Sequence, residues 1–148
     1  MDKECVKICN ALNRLPSVRT TDSCCGHGKH NFCIWFYASD IRVLNALGRL
    51  MSHNYAPYCW YKDKTGKYRE NWKITLDVCD TMDFKKEVLF CLMGNKNNPN
   101  MYKEADDMAG AVIYIWNNFC TYTLKRKPFY KSKREYDSIL KEYVDDVE

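Results

Sequence analysis

The stretch RTTDSCCGHGKHNFCIWFY, residues 19–37, decides how this chain is read, because it passes from hydroxyl, thiol, imidazole and cationic side chains into an unbroken apolar and aromatic run. The run from Phe32 to Tyr37 predicts a buried strand. Residues 19–30 read as a loop held at both ends, since a helical pattern and Leu15-Pro16 precede them and the strand follows. Gly26 and Gly28 permit close backbone approach to a ligand, and Thr20, Thr21 and Ser23 offer hydroxyls. Successive backbone N–H groups in such a loop can form an anion-binding nest, so a binding site is expected here.

Outward from this stretch the chain falls into periodic segments. Upstream, Cys5, Ile8, Cys9 and Leu12 recur at spacings of three and four, which predicts an amphipathic helix over residues 2–14. Downstream, Ser39 reads as an N-cap with Asp40 in the first turn of a helix that runs to about Ser52 and carries Ile41, Leu44, Leu47 and Met51 on one face. The aromatic run Tyr55 to Tyr61 contains Pro57, which suits an edge strand, and residues 62–67 have the turn chemistry of a hairpin leading to the next strand. Apolar and polar residues alternate from Trp72 to Val78, predicting a strand with one buried face, and Val88 to Met93 predicts a fourth strand rather than the end of a helix begun near Asp83.

After the polar loop 95–100, a helix from Met101 is expected to bury Ala105, Met108, Ala109, Val112, Ile113, Trp116 and Phe119. Pro128 breaks the pattern, and a last helix over 131–147 carries a narrow stripe of Tyr136, Ile139, Leu140 and Tyr143. There is no internal repeat. The expectation is one α+β domain over 1–148, a sheet of about four strands flanked by helices, with 125–148 a basic linker and C-terminal helix. The stripe on that helix can pack on its own domain or against a second copy, making a homo-oligomer.

Composition limits the function classes. A length of 148 residues, 46% hydrophobic and 14% aromatic, is enough to bury one core. A net charge of +4 favours anionic small ligands and falls short of the basicity of a protein that lives on nucleic acid, so no stable nucleic-acid partner is expected. Nine cysteines, an odd number without a secretory pattern at Met1-Asp2-Lys3-Glu4, suit a reducing cytoplasm, with Cys33, Cys59, Cys79 and Cys91 in or beside apolar runs as small hydrophobes. No apolar run reaches the roughly 18 residues that would span a membrane.

Three chemistries compete for residues 19–30. Zinc would suit Cys24, Cys25, His27 and His30, but two adjacent cysteines without a second ligand cluster do not match the usual spacing, so neither metal nor cofactor is assigned. A thiolate at Cys24 or Cys25 with His27, His30 or His53 as base would need spatial proximity, and no catalytic residue is assigned. Recognition of a phosphorylated nucleotide would use Arg19, Thr20, Thr21, Ser23, Cys24, Cys25, Gly26, His27, Gly28 and Lys29, with Tyr58 or Trp60 from the aromatic run stacking on the base. The basic residues Lys125, Arg126, Lys127, Lys131, Lys133 and Arg134 could clamp a phosphate but read first as a solvated linker, and Asp106 and Asp107, beside Glu104, could cap or pair with a base or ribose, with facing water the default.

The pattern L-P-x-V-x-T-x-x-S-C-C-G-H-G, from Leu15 to Gly28, resembles small proteins carried by phages and their bacterial hosts. Its T-x-S-C-x-G portion also resembles the loop of wybutosine-synthesis methyltransferases that act on tRNA, with His27 where that family has a basic residue. At the level of a class, the chain is similar to counter-defence proteins that sequester cyclic nucleotide signals, including those that block Thoeris immunity. That resemblance implies binding and sequestration of a cyclic nucleotide in the host cytoplasm without turnover. The alternatives are a tRNA-modifying transferase or a thiol- or zinc-dependent hydrolase using Cys24 to His30, and a protein-binding inhibitor.

Overall fold

The apolar run forms β2 (Phe32–Ala38), and the fold is arranged about it. Phe32, Ile34, Phe36 and Ala38 are at most 1% exposed, whereas Cys33, Trp35 and Tyr37 between them are half-buried, the period of two expected of a pleated strand. The computed structural model describes residues 1–51, 57–77 and 88–124. The expected helix over 131–147, the basic run from Lys125, and Tyr55, Val78, Cys79, Asp83 and the Phe119 side chain lie outside the described residues.

Antiparallel neighbours flank β2 on both sides: β1 (Arg19–Cys24) on one and β6 (Val88–Gly94) on the other. β5 (Lys73–Leu76) pairs with the far side of β6, so the four-stranded sheet has the order β1-β2-β6-β5. Among the described residues, three α-helices complete an α+β domain: α1 (Val6–Asn13), α2 (Ile41–Leu50) and α3 (Met101–Leu124). Ile8 and Leu12 of α1, Val43 and Leu50 of α2, and Met108 and Ile115 of α3 share one core with Phe32, Ile34 and Phe36. Each such aromatic or aliphatic side chain contributes roughly 1.5–3 kcal/mol when fully buried. No helix among the described residues is long and apolar enough to cross a membrane.

Several expectations are corrected. Residues 19–24 are a strand, not the start of a loop. The N-cap of α2 is Asp40, not Ser39: its carboxylate accepts the Arg42 N–H at 2.9 Å and pairs with the Arg42 guanidinium at 2.8 Å, which holds its carboxyl below the usual range. The buried face also differs from the expected one: Val43, Ala46, Leu47 and Leu50 are buried and Ile41 is 79% exposed. The hairpin is formed by β3 (Trp60–Lys62) and β4 (Tyr68–Glu70) as a separate two-stranded sheet, rather than by a strand starting at Trp72. Asp63 closes its turn by accepting the N–H groups of Thr65 and Lys67 and an Arg69 N–H at 2.8 Å.

β5 is an edge strand whose last residue, Leu76, is 67% exposed despite the alternation that places it inside. Trp72, just before it, is 1% exposed, packs edge-on against Phe32 at 5.3 Å and covers Gly94 so closely that a Cβ there would lie 2.8 Å from its ring. Glu104 is half-buried. Asn71 Nδ2 donates to one of its carboxylate oxygens at 3.0 Å and Asn98 Nδ2 to the other, while Asn98 also donates to Asn71 Oδ1 at 3.1 Å. Burial of this network pushes the Glu104 carboxyl above its ordinary value.

Candidate functional site

β1 is an edge strand built from polar residues, and its neighbours manage the exposed edge. Asn13, at the end of α1, accepts the Thr20 N–H at 2.9 Å and donates to the Thr20 hydroxyl at 2.8 Å, covering backbone that would otherwise be open to pairing. A bulge between Thr20 and Asp22 shifts the register against β2. Past Cys24 the chain makes a tight turn, with Gly26, His27 and Gly28 at φ values of 82°, 51° and 77°. Only glycine fits at position 26, where a Cβ would lie 3.0 Å from the Asn31 carbonyl oxygen. His27 takes the left-handed region with a side chain, a strain of about 1 kcal/mol of the kind that clusters at functional sites. The Tyr102 hydroxyl ties the turn to α3 by donating to the Cys25 carbonyl at 3.3 Å.

This turn meets the N-terminus of the chain. Asp2 places one donor oxygen, Cys24 its sulfur and His27 a ring nitrogen so that all three atoms lie within 4.8 Å of one another. His27 Nε2 is 3.7 Å from Asp2 Oδ2, and its other nitrogen, Nδ1, is 3.6 Å from Cys25 Sγ. The Cys25 N–H donates to Asp2 Oδ2 at 2.9 Å and the Gly26 N–H to Cys24 Sγ at 3.4 Å. These contacts hold the Asp2 carboxyl below its ordinary range, chiefly through the bond from Cys25. Beside the trio opens a cleft of about 450 Å³ lined by Met1, Asp2, Thr20, Thr21, Asp22, Cys24 and His27, among others.

The expected site residues divide. Thr20, Thr21, Ser23, Cys24 and His27 line the cleft together, and Asp2 and Asp22, which carry no signal in the sequence, line it with them. Cys25 and Gly26 are buried behind them, and Gly28, Lys29 and His30 are exposed on the turn. Arg19 is at the other end of β1, its guanidinium 4.7 Å above the Tyr37 ring. Tyr58 is 4% exposed in the core and cannot stack on a ligand from there, which corrects its assignment, while Trp60 is 48% exposed on the separate hairpin.

The expected anion nest is also altered. The N–H groups of Thr20, Ser23, Cys25 and Gly26 donate to Asn13, Asp22, Asp2 and Cys24, so those donors are engaged by the protein's own side chains. The Ser23 hydroxyl lies against the Cys5 and Cys9 thiols. Among the described residues the cysteines are free thiols, and burial pushes Cys5 and Cys91 up to about 12, where they stay protonated and unreactive. Burial raises the Cys25 thiol as well. Comparison with protein-family models, with curated proteins and with solved structures finds no match to this chain.

Proposed function

We propose that the protein binds one phosphorylated nucleotide, of cyclic type, in the cleft between its N-terminus and the edge of β1, and holds it without turnover. The observation that supports this reading is the cleft itself. Its volume of about 450 Å³ falls within the roughly 300–1,000 Å³ of small-molecule sites, and its walls carry hydroxyls, an imidazole and carboxylates. Ribose hydroxyls and base amino groups would donate to Asp2 and Asp22, while the phosphate would take the His27 imidazole and the Thr20 hydroxyl, whose own proton is left to donate.

Because the nearby N–H groups already have partners, phosphate recognition in this reading rests on side chains rather than on a backbone nest. Cys25, the thiol at Nδ1 of His27, is 4% exposed and presents no nucleophile to the cleft, so any thiol reaction there would fall to Cys24. Such a protein would act by sequestration, as the resemblance to counter-defence proteins implies, in the cytoplasm of the host cell.

A thermal-shift screen against linear and cyclic nucleotides, followed by release and chromatography of the ligand, tests this. A binder at 100 times its dissociation constant should add about 2.7 kcal/mol of stability, lose that gain in His27→Asn and Thr20→Val, and return its ligand intact. Absence of any shift would overturn the nucleotide reading, and recovery of an altered product would replace it with an enzyme.

A further inference from the structure

We infer that Asp2, Cys24 and His27 form a binding site for a divalent transition ion of the zinc class, with its fourth coordination position open to the cleft. With the ion in place, a molecule in the cleft would meet the open coordination position instead of the direct contacts to Asp2 and His27 drawn above.

The donor set is the first argument. A thiolate, an imidazole and a carboxylate form the mixed sulfur, nitrogen and oxygen set that suits Zn²⁺ and disfavours Mg²⁺ and Ca²⁺, which take oxygen ligands. The spacing is the second. Zinc bonds of about 2.0–2.3 Å in a tetrahedron place ligand atoms about 3.3–3.7 Å apart. His27 Nε2 and Asp2 Oδ2 already stand 3.7 Å apart, and no pair in the trio exceeds 4.8 Å. The His27 side chain, 65% exposed, has room to close the remainder.

Each ligand, moreover, is already held by a bond to a group that is not a ligand. The Cys25 N–H fixes Asp2, the Gly26 N–H points at the Cys24 sulfur, and Cys25 Sγ faces Nδ1 of His27. Outer contacts of this kind orient metal ligands and select the histidine nitrogen that binds. They also exclude the other cysteine. Cys25 lies at Nδ1 while Asp2 lies at Nε2, so one ion on the Asp2 side takes Cys24 and leaves Cys25 as the orienting group. His27 has a left-handed backbone between two glycines that share that conformation, and its ring lies beside Cys24 and Asp2.

Three protein ligands and one open position describe a site that receives a further ligand rather than a closed structural site. The ion would present a positive centre in a cleft otherwise lined by the carboxylates of Asp2 and Asp22. On binding, the Cys24 thiol gives its proton to solvent, His27 binds as neutral imidazole, and Asp2 binds as carboxylate.

The test is titration of the full chain, reduced and freed of metal with a chelator, with Co²⁺ as the spectroscopic probe and then with Zn²⁺. The expected result is one equivalent of Co²⁺ with a thiolate charge-transfer band in the near ultraviolet, displaced by Zn²⁺. The band should disappear in Cys24→Ser and persist in Cys33→Ser. Asp2→Asn and His27→Gln should each weaken binding by roughly 100-fold, at or beyond the upper end of losses seen for orienting groups. Far-ultraviolet circular dichroism in chelator confirms that each variant is folded before titration. A band that survives in Cys24→Ser, or folded wild-type protein that takes up neither ion, would overturn the assignment.

Discussion

Two polar clusters in this molecule are each assembled from residues far apart in the chain, and they differ in what is left over once their own contacts are made. Asn71 and Asn98 lie inside the fold at 3% and 4% exposure with Glu104 half-buried beside them, and both asparagine side-chain amides donate to acceptors within the cluster. Asp2, Cys24 and His27 lie at a cleft, with ligand-type atoms close together and only part of their bonding capacity used. A closed network of the first kind fixes a loop against a helix. An open one of the second kind contributes little to folding and retains capacity for a ligand. The contrast predicts that damage to the first cluster unfolds the protein and damage to the second abolishes binding.

The largest effect expected is that of Glu104→Ala, which leaves the Asn71 and Asn98 amides buried without their shared acceptor and should lower stability by about 3 kcal/mol in urea unfolding. A loss below about 1 kcal/mol would mean the cluster is wet, not closed. Next, Gly94→Ala should cost about 2 kcal/mol because its Cβ would collide with the buried Trp72 ring, and this loss should not depend on pH, setting apolar strain apart from the polar network.

A smaller effect concerns pH. Burial raises the Glu104 carboxyl above its ordinary 4.5, so the folded chain holds that proton more tightly than the unfolded chain does. The burial penalty on the charged form is absent below 4.5, and stability falls as pH rises through the raised value. Glu104→Gln, which mimics the protonated acid, should flatten the midpoint-against-pH curve over that window. An unchanged slope would remove Glu104 as its source.

The smallest effects are expected at the cleft. In metal-free protein, Asp2→Asn, Cys24→Ser and His27→Asn should each change the unfolding free energy by no more than about 0.5 kcal/mol. Asparagine suits the left-handed backbone at position 27. A loss above 2 kcal/mol from any one of them would make the second cluster structural and erase the contrast.

The elements legible in the sequence are those in which burial imposes a period. α1 shows its stripe through Cys5, Ile8, Cys9 and Leu12, all at most 1% exposed, and β2 and α3 are equally plain. β1 was not legible as a strand, because RTTDSC has no apolar alternation and its bulge breaks what period there is; pairing with β2 makes it one. The cleft was half legible. Cys24 and His27 stand out as reactive residues in a glycine-rich turn, but Asp2 is 22 positions before Cys24 and looks like any exposed acid near an N-terminus. Asp2 stands at the start of the helical turn at residues 3–5, and the bond from the Cys25 N–H ties its carboxylate to the glycine-rich turn. Asn71, Asn98 and Glu104 were hidden for the same reason, as each sits in a polar surrounding that reads as solvent-facing until the fold closes over it.

The position an added zinc ion takes in the crystal decides whether Asp2, Cys24 and His27 act as ligands. Crystals of the protein grown or soaked with one equivalent of zinc, and measured at the zinc absorption edge, are predicted to show one anomalous peak within about 2.0–2.3 Å of a carboxylate oxygen of Asp2, the sulfur of Cys24 and Nε2 of His27. A peak at other thiols, such as Cys33 and Cys91 on the sheet, or none at all in folded protein, would contradict it.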